Sequence, residues 1–101
     1  MIYMVTSGSI VYGKAKEADE WLLKLVAHLN EKMPGVNAQL LNSVDGQVNR
    51  RHMIETYGSL GAMDATEEML KEDADWQALI MKGKGLSVQD SVESHYYRVV
   101  S

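Results

Sequence analysis

Three features of this chain predict an α+β domain of order βαββαβ, with a four-stranded antiparallel sheet and helices on one face. One is an amphipathic helical stripe in the first third, lying between two β-rich runs. Another is a pair of short strands joined by a turn dipeptide in the middle. The third is a second helical stretch followed by a final β-rich segment, which closes the order without any internal repeat.

Ile2 to about Val5 is β-rich, and Ser7-Gly8-Ser9 interrupts it as a loop or bulge before it resumes through Ile10-Val11. From Lys14 to Lys32 the period is helical, because Ala18, Leu22, Leu25, Leu29 and Met33 recur 4, 3, 4 and 4 residues apart. Trp21 and Val26 widen that stripe. Met33-Pro34-Gly35 ends the helix, since proline cannot continue the hydrogen-bond ladder and glycine tolerates a left-handed turn. Val36 to Leu41 reads as a strand, and the turn Val44-Asp45-Gly46-Gln47 leads into the strand Arg50 to Tyr57. A helix from about Ala62 to Lys71 turns Met63, Thr66 and Leu70 inward. Asp73 or Asp75 caps a further helical piece carrying Trp76, Leu79 and Ile80. Gly83 and Gly85 break it, and Val92 to Val100 is the last strand.

This order is that of the split βαβ, or ferredoxin-like, arrangement. It covers residues 1–101 as a single domain, long enough to bury most of the surface of its unfolded chain. Apolar residues make up 46% and charged residues 24%, which argues against disorder. The net charge of −4 and the scattered Lys and Arg argue against a nucleic-acid partner. Cysteine is absent, which excludes disulfides, thiolate metal sites and a cysteine nucleophile. No apolar run reaches the roughly 20 residues of a membrane span, and the N-terminus has no basic flank or small-residue cleavage site. No membrane partner is expected, and the chain reads as cytoplasmic.

The strand Arg50–Tyr57 separates its residues by a period of two. Arg51, Met53, Glu55 and Tyr57 share one face, and His52, Ile54, Thr56 and Gly58 the other. The second set suits the side covered by helices. That reading aims the first set, a cation, a thioether, a carboxylate and a phenol, at the bare side of the sheet. Single domains rarely expose so large a patch. A twofold copy laid on it gives a homodimer whose two sheets enclose an interior space.

Glu55-Thr56-Tyr57-Gly58-Ser59, then Ala62, then Asp73-Ala74-Asp75-Trp76 resembles the dimeric α/β barrel superfamily, in its antibiotic-biosynthesis-monooxygenase-like and NIPSNAP-like branches. In that group the third strand often ends Glu-x-(Trp or Tyr)-x-Ser, and an Asp-x-x-Trp segment follows the next helix. The resemblance covers the whole chain in element order and about ten residues in sequence. It implies that Tyr57 points into the barrel interior beside a ligand. Members of the group often carry a histidine one to two turns into the helix after the strand. Here that region reads Ala65-Thr66-Glu67-Glu68, so haem ligation or histidine-assisted chemistry by that route is not implied, and no cofactor is expected.

Candidate chemistry follows from the same faces. Glu55 and Tyr57 suit a base and a hydrogen-bond donor for an enol- or quinol-like substrate, because a carboxylate in a dry cavity has a raised pKa. The plainer reading pairs Glu55 with Arg51 or with a charge of the partner subunit. His95 and Tyr97 form a second same-face pair on the last strand, and His95 is a candidate acid or base. The opposite phase there, Ser94, Tyr96 and Arg98, is nearly as apolar, so either set suits the cavity. Glu93 and His95 have metal-like spacing but lack a third ligand, and no metal is expected. His52 and His28 read as structural, Trp21 and Trp76 as core, and Gly83-Lys84-Gly85 as a turn rather than a phosphate loop. Seven Met and no Phe suit an adaptable interior.

The leading functional expectation is a homodimer that binds a small hydrophobic or aromatic molecule in the barrel interior. Arg51, Tyr57 and His95 are its polar contacts, with Met53, Tyr3 and Tyr97 also on the wall and Glu55 or His95 in any catalytic role. One alternative is a cofactor-independent monooxygenase or isomerase acting on a phenolic or enolisable substrate. The other is a non-catalytic dimerisation or regulatory module.

Overall fold

The computed structural model describes all 101 residues. Its elements are β1 (Ile2–Ser9), α1 (Ala15–Lys32), β2 (Val36–Asn42), β3 (Arg50–Tyr57), α2 (Leu60–Lys71), α3 (Ala74–Lys82) and β4 (Glu93–Arg98). They form one antiparallel sheet in the order β2-β3-β1-β4, the ferredoxin-like topology. No helix is long and apolar enough to cross a membrane.

The local reasons match the residues. Met33, the residue before Pro34, is extended (φ −112°, ψ 105°), and α1 stops there. Gly46 has a φ of +100°, the left-handed conformation that the turn into β3 requires. Ser59 caps α2 by accepting the Ala62 N–H at 3.1 Å. Asp73 caps α3 by accepting the Trp76 N–H at 3.0 Å. Ala18, Leu25, Leu29 and Met33 are buried along α1, as are Met63, Thr66 and Leu70 along α2. Asn30, in the last turn of α1, clamps β2: its amide donates to the Ala38 carbonyl at 3.0 Å and its carbonyl accepts the Ala38 N–H at 2.8 Å.

Two expectations are corrected. Ser7-Gly8-Ser9 is not a break, because β1 runs unbroken through Ser9 and pairs there with Arg50. The strand faces are also reversed. Tyr57 packs with Ile2 and Met63, and Met53 packs against the cluster of Leu29, Met33, Ala38 and Leu70. Arg51, Met53, Glu55 and Tyr57 therefore lie under the helices, while His52, Ile54 and Thr56 face the bare side.

The physical reason lies in β2. Val36, Ala38 and Leu40 are its apolar phase, alternating with Asn37 and Gln39, and the register places them opposite Tyr57, Glu55 and Met53. Residues directly opposite in an antiparallel pair share a face. The helices thus claim the side on which β2 is most apolar. The two charges that β3 brings along, Arg51 and Glu55, are each satisfied by a partner there.

Candidate ligand-binding site

An apolar chamber of about 220 Å³ lies between the sheet and the helices. Its floor is Thr6 of β1, Leu40 of β2, and Arg51 and Met53 of β3. Trp21, Leu22 and Leu25 of α1 and Ile80 of α3 form the roof, and Ser87 and Val92 close one side. The indole of Trp21 is fixed at both ends: its Nε1–H donates to the Leu79 carbonyl at 2.6 Å, and its six-membered ring lies against Gly83 so closely that a Cβ there would collide with it. The segment from Gly83 to Val92 is tied to β1 and its continuation. The Val88 N–H donates to the Ser9 carbonyl at 2.8 Å, and the Val11 N–H to the Leu86 carbonyl at 3.0 Å. These bonds hold the side wall without filling the chamber.

Arg51 sits at the edge of this space. Its Nε and Nη2 donate to the two carboxylate oxygens of Asp19 at 2.7 and 3.1 Å, a bidentate pair joining α1 to the sheet. Its Nη1 donates to the carbonyls of Val48 and Arg50, both at 2.9 Å. Hydrogen bonding to Asp19 raises the guanidinium pKa further above its already high value, with burial partly opposing. The arginine is a permanent cation.

Glu55 and Tyr57 form a separate, sealed pair. The phenol donates to Glu55 Oε1 at 2.7 Å, and the two residues are 4% and 1% exposed. Burial raises the Glu55 pKa above the usual carboxylate range. The Tyr57 hydrogen bond opposes this in part, and the nearby charge of Glu67 adds to it. Burial, then the bond to Glu55, raises the Tyr57 pKa as well. Neither side chain lines the chamber. Glu55 and Tyr57, expected on the open face, are hydrogen-bonded to each other under the helices instead.

Tyr3, His95 and Tyr97 lie on the open face, in register with one another across β1 and β4. Tyr3 pairs with Tyr97, and His95 stands opposite Val5 with its ring 3.7 Å from Glu93. The strand phase left open in the sequence is thus His95/Tyr97 outward on the bare side and Tyr96/Arg98 on the helix side; every residue of β4 is exposed. His52, expected toward the helices, is also on the bare face. It is held between the hydroxyls of Ser7 (Nδ1–Oγ 2.6 Å) and Ser43 (Nε2–Oγ 3.1 Å). The seven residues singled out in the sequence therefore divide into three places. Arg51 and Met53 are in the chamber wall, Glu55 and Tyr57 in the sealed pair, and Tyr3, His95 and Tyr97 on the bare face.

Trp21, Leu22, Leu25 and Ile80 are chamber residues that sequence reasoning assigned to plain core. Their helical spacing carries no sign of an unfilled space, because a packed core and a lined cavity share the same stripe. His28 behaves as a structural residue: its Nε2 lies 2.7 Å from Asp73 Oδ2, tying α1 to the start of α3, and its ring lies 5.6 Å from that of Trp76. No group of three His, Asp or Glu side chains is placed to share a metal ion.

No protein-family profile matches the chain, and no curated protein is similar enough to be matched. Solved structures do match over its whole length. A NIPSNAP domain protein from Burkholderia xenovorans superposes with a TM-score of 0.83 at 17% identity, covering 100% of this chain and 96% of its own. SnoaB, a cofactor-independent oxygenase from Streptomyces nogalater, gives 0.75 at 15% identity, covering 99% and 93%. An antibiotic biosynthesis monooxygenase gives 0.76 at 14%, with both chains covered in full. Structures from both branches that the Glu55–Ser59 segment resembles thus share this fold. At these identities the likeness is one of fold.

Proposed function

We propose that this protein binds a compact apolar or aromatic molecule in the chamber between its sheet and α1, as a homodimer whose bare sheet faces meet. The observation that carries the binding reading is the chamber itself. Pockets for small molecules are mostly apolar with a few polar groups, and here Trp21, Leu22, Leu25, Leu40, Met53, Ile80 and Val92 surround two hydroxyls and one guanidinium. Its size lies below the roughly 300 Å³ at which drug-sized sites begin. That suits a molecule of one or two rings. The dimer draws its support from Tyr3, Leu41 and Tyr97, which are 37%, 42% and 54% exposed on one face of the sheet.

Naphthalene is a suitable neutral probe. Calorimetry is expected to show it binding the native protein. Ile80→Trp, at a half-exposed position on the rim, is expected to fill the space and weaken binding by roughly tenfold or more while the fold persists. Equal binding to both proteins would contradict the assignment.

A cofactor-independent oxygenase is the second reading, supported by the shared fold with SnoaB. The chamber would then shelter an electron-rich phenol or enol whose own carbanion meets dioxygen. The wall offers no carboxylate or imidazole to take the substrate proton, so this reading requires a substrate that ionises readily beside Arg51. Dioxygen uptake with 1,4-dihydroxynaphthalene above the uncatalysed rate would support it. An unchanged rate would leave binding as the function.

A further inference from the structure

Resting on the binding reading above, we propose that the preferred ligand is an aromatic acid whose carboxylate takes the place of Asp19 on Arg51. Two spaces meet at this arginine. The inner one is the apolar chamber. The outer is a shallower surface cleft of about 230 Å³ lined by Asp19, Leu23, Leu41 and Asn42. Arg51 and Leu40 line both, so they are the wall that the two spaces share.

The ion pair on that wall is unequal. The Arg51 side chain is 12% exposed and the Asp19 side chain 38%. A nearly buried cation is thus neutralised by a carboxylate that stands partly in water on a helix surface. The guanidinium is anchored independently of Asp19 through Nη1 to two backbone carbonyls, so it keeps its position when the carboxylate leaves. Nε and Nη2 then present a fork that fits any carboxylate. A planar acid entering from the cleft places its ring among Trp21, Leu25 and Met53 and its carboxylate on that fork, while Asp19 turns out to solvent. The swap conserves the number of charge-assisted hydrogen bonds and leaves no buried charge unpaired, which is the condition for an exchange of this kind to be affordable. It also gives Asp19 a role in selectivity, since a neutral ring gains nothing by displacing it.

The experiment compares naphthalene with 2-naphthoate on the native protein, Asp19→Asn and Arg51→Met. Removing the competing charge in Asp19→Asn is expected to tighten 2-naphthoate by roughly tenfold and leave naphthalene unchanged. Arg51→Met is expected to abolish the preference for the acid while still binding naphthalene. In the native protein, the ¹⁵N resonance of Arg51 Nε is expected to shift with saturating 2-naphthoate and not with naphthalene. That reading needs no variant to fold. An Arg51 resonance that the acid leaves unmoved, or equal affinity of Asp19→Asn and native protein for 2-naphthoate, would overturn the exchange. If naphthalene itself fails to bind the native protein, the chamber reading falls instead.

Discussion

At the scale of single residues, the sealed Glu55–Tyr57 pair sets the clearest expectations. Glu55 has its pKa raised in the folded state, so between the ordinary carboxylate range and that raised value the folded chain holds more protons than the unfolded one. Stability therefore falls as pH rises through this window, and is greatest below it. Glu55→Gln is expected to flatten that slope in chemical denaturation followed from pH 4 to pH 8, a range set to bracket the usual carboxylate value of about 4. An identical slope in both proteins would contradict the burial of a titrating carboxylate. Tyr57→Phe removes the only hydrogen bond that a protein side chain gives Glu55. Leaving a buried acceptor unpaired costs about 1–3 kcal/mol, to be read as a lower denaturation midpoint. Asp73 behaves oppositely. Its hydrogen bond to His28, then the Trp76 N–H, lower its pKa, so its contribution is present above the ordinary carboxylate value and is lost as pH falls toward the lowered one.

At the scale of elements, α1 carries both the core and the chamber roof. Leu25 is 3% exposed and central on its inward stripe, so Leu25→Ala is expected to cost about 2–5 kcal/mol. A loss under about 1 kcal/mol in a denaturant titration would mean that the stripe is misphased. At the start of the segment from Gly83 to Val92, the backbone passes close against the Trp21 ring. Gly83→Ala drives a methyl into the Trp21 ring, and is expected to shift the Trp21 indole N–H resonance and lower the melting temperature together. Much of this scale was legible in the sequence. The α1 stripe, the Pro34 stop and the Gly46 turn are each dictated by a local rule and lie where the rule puts them, and of the two candidate caps, Asp73 and Asp75, it is Asp73 that caps α3. The β3 faces were separated correctly by their period of two but assigned to the wrong sides, because a strand mixing Arg51 and Glu55 with Met53 and Tyr57 does not itself say which side is dry. The answer lay one strand away, in Val36, Ala38 and Leu40, and became available only through the pairing register. The chamber was less legible still. Whether Trp21 and Leu25 fill space or line it depends on how α1 and α3 sit over the sheet, and that is a property of the whole packing.

At the scale of the molecule, one sheet face lies under three helices and the other is bare. The bare face joins apolar residues, Tyr3, Val5, Ile54 and Leu41, to a polar set, Ser7, His52 and His95. A second copy laid on it by a twofold axis is expected to bury on the order of 2,000 Å² or more in total, the range of obligate dimers. Sedimentation at micromolar concentration is expected to show that dimer, and Ile54→Glu to convert it to monomer by placing an unpaired charge in the interface. A native protein that sediments as a monomer would contradict it.

On the proposed reading the ligand sits between sheet and helices and not on the bare face. Methyl resonances of the two sides separate these places directly under naphthalene titration. Shifts are expected at Leu22, Leu25, Leu40, Met53, Ile80 and Val92, with Val5 and Ile54 unmoved. Shifts confined to Val5 and Ile54, or to no methyl at all, would contradict it.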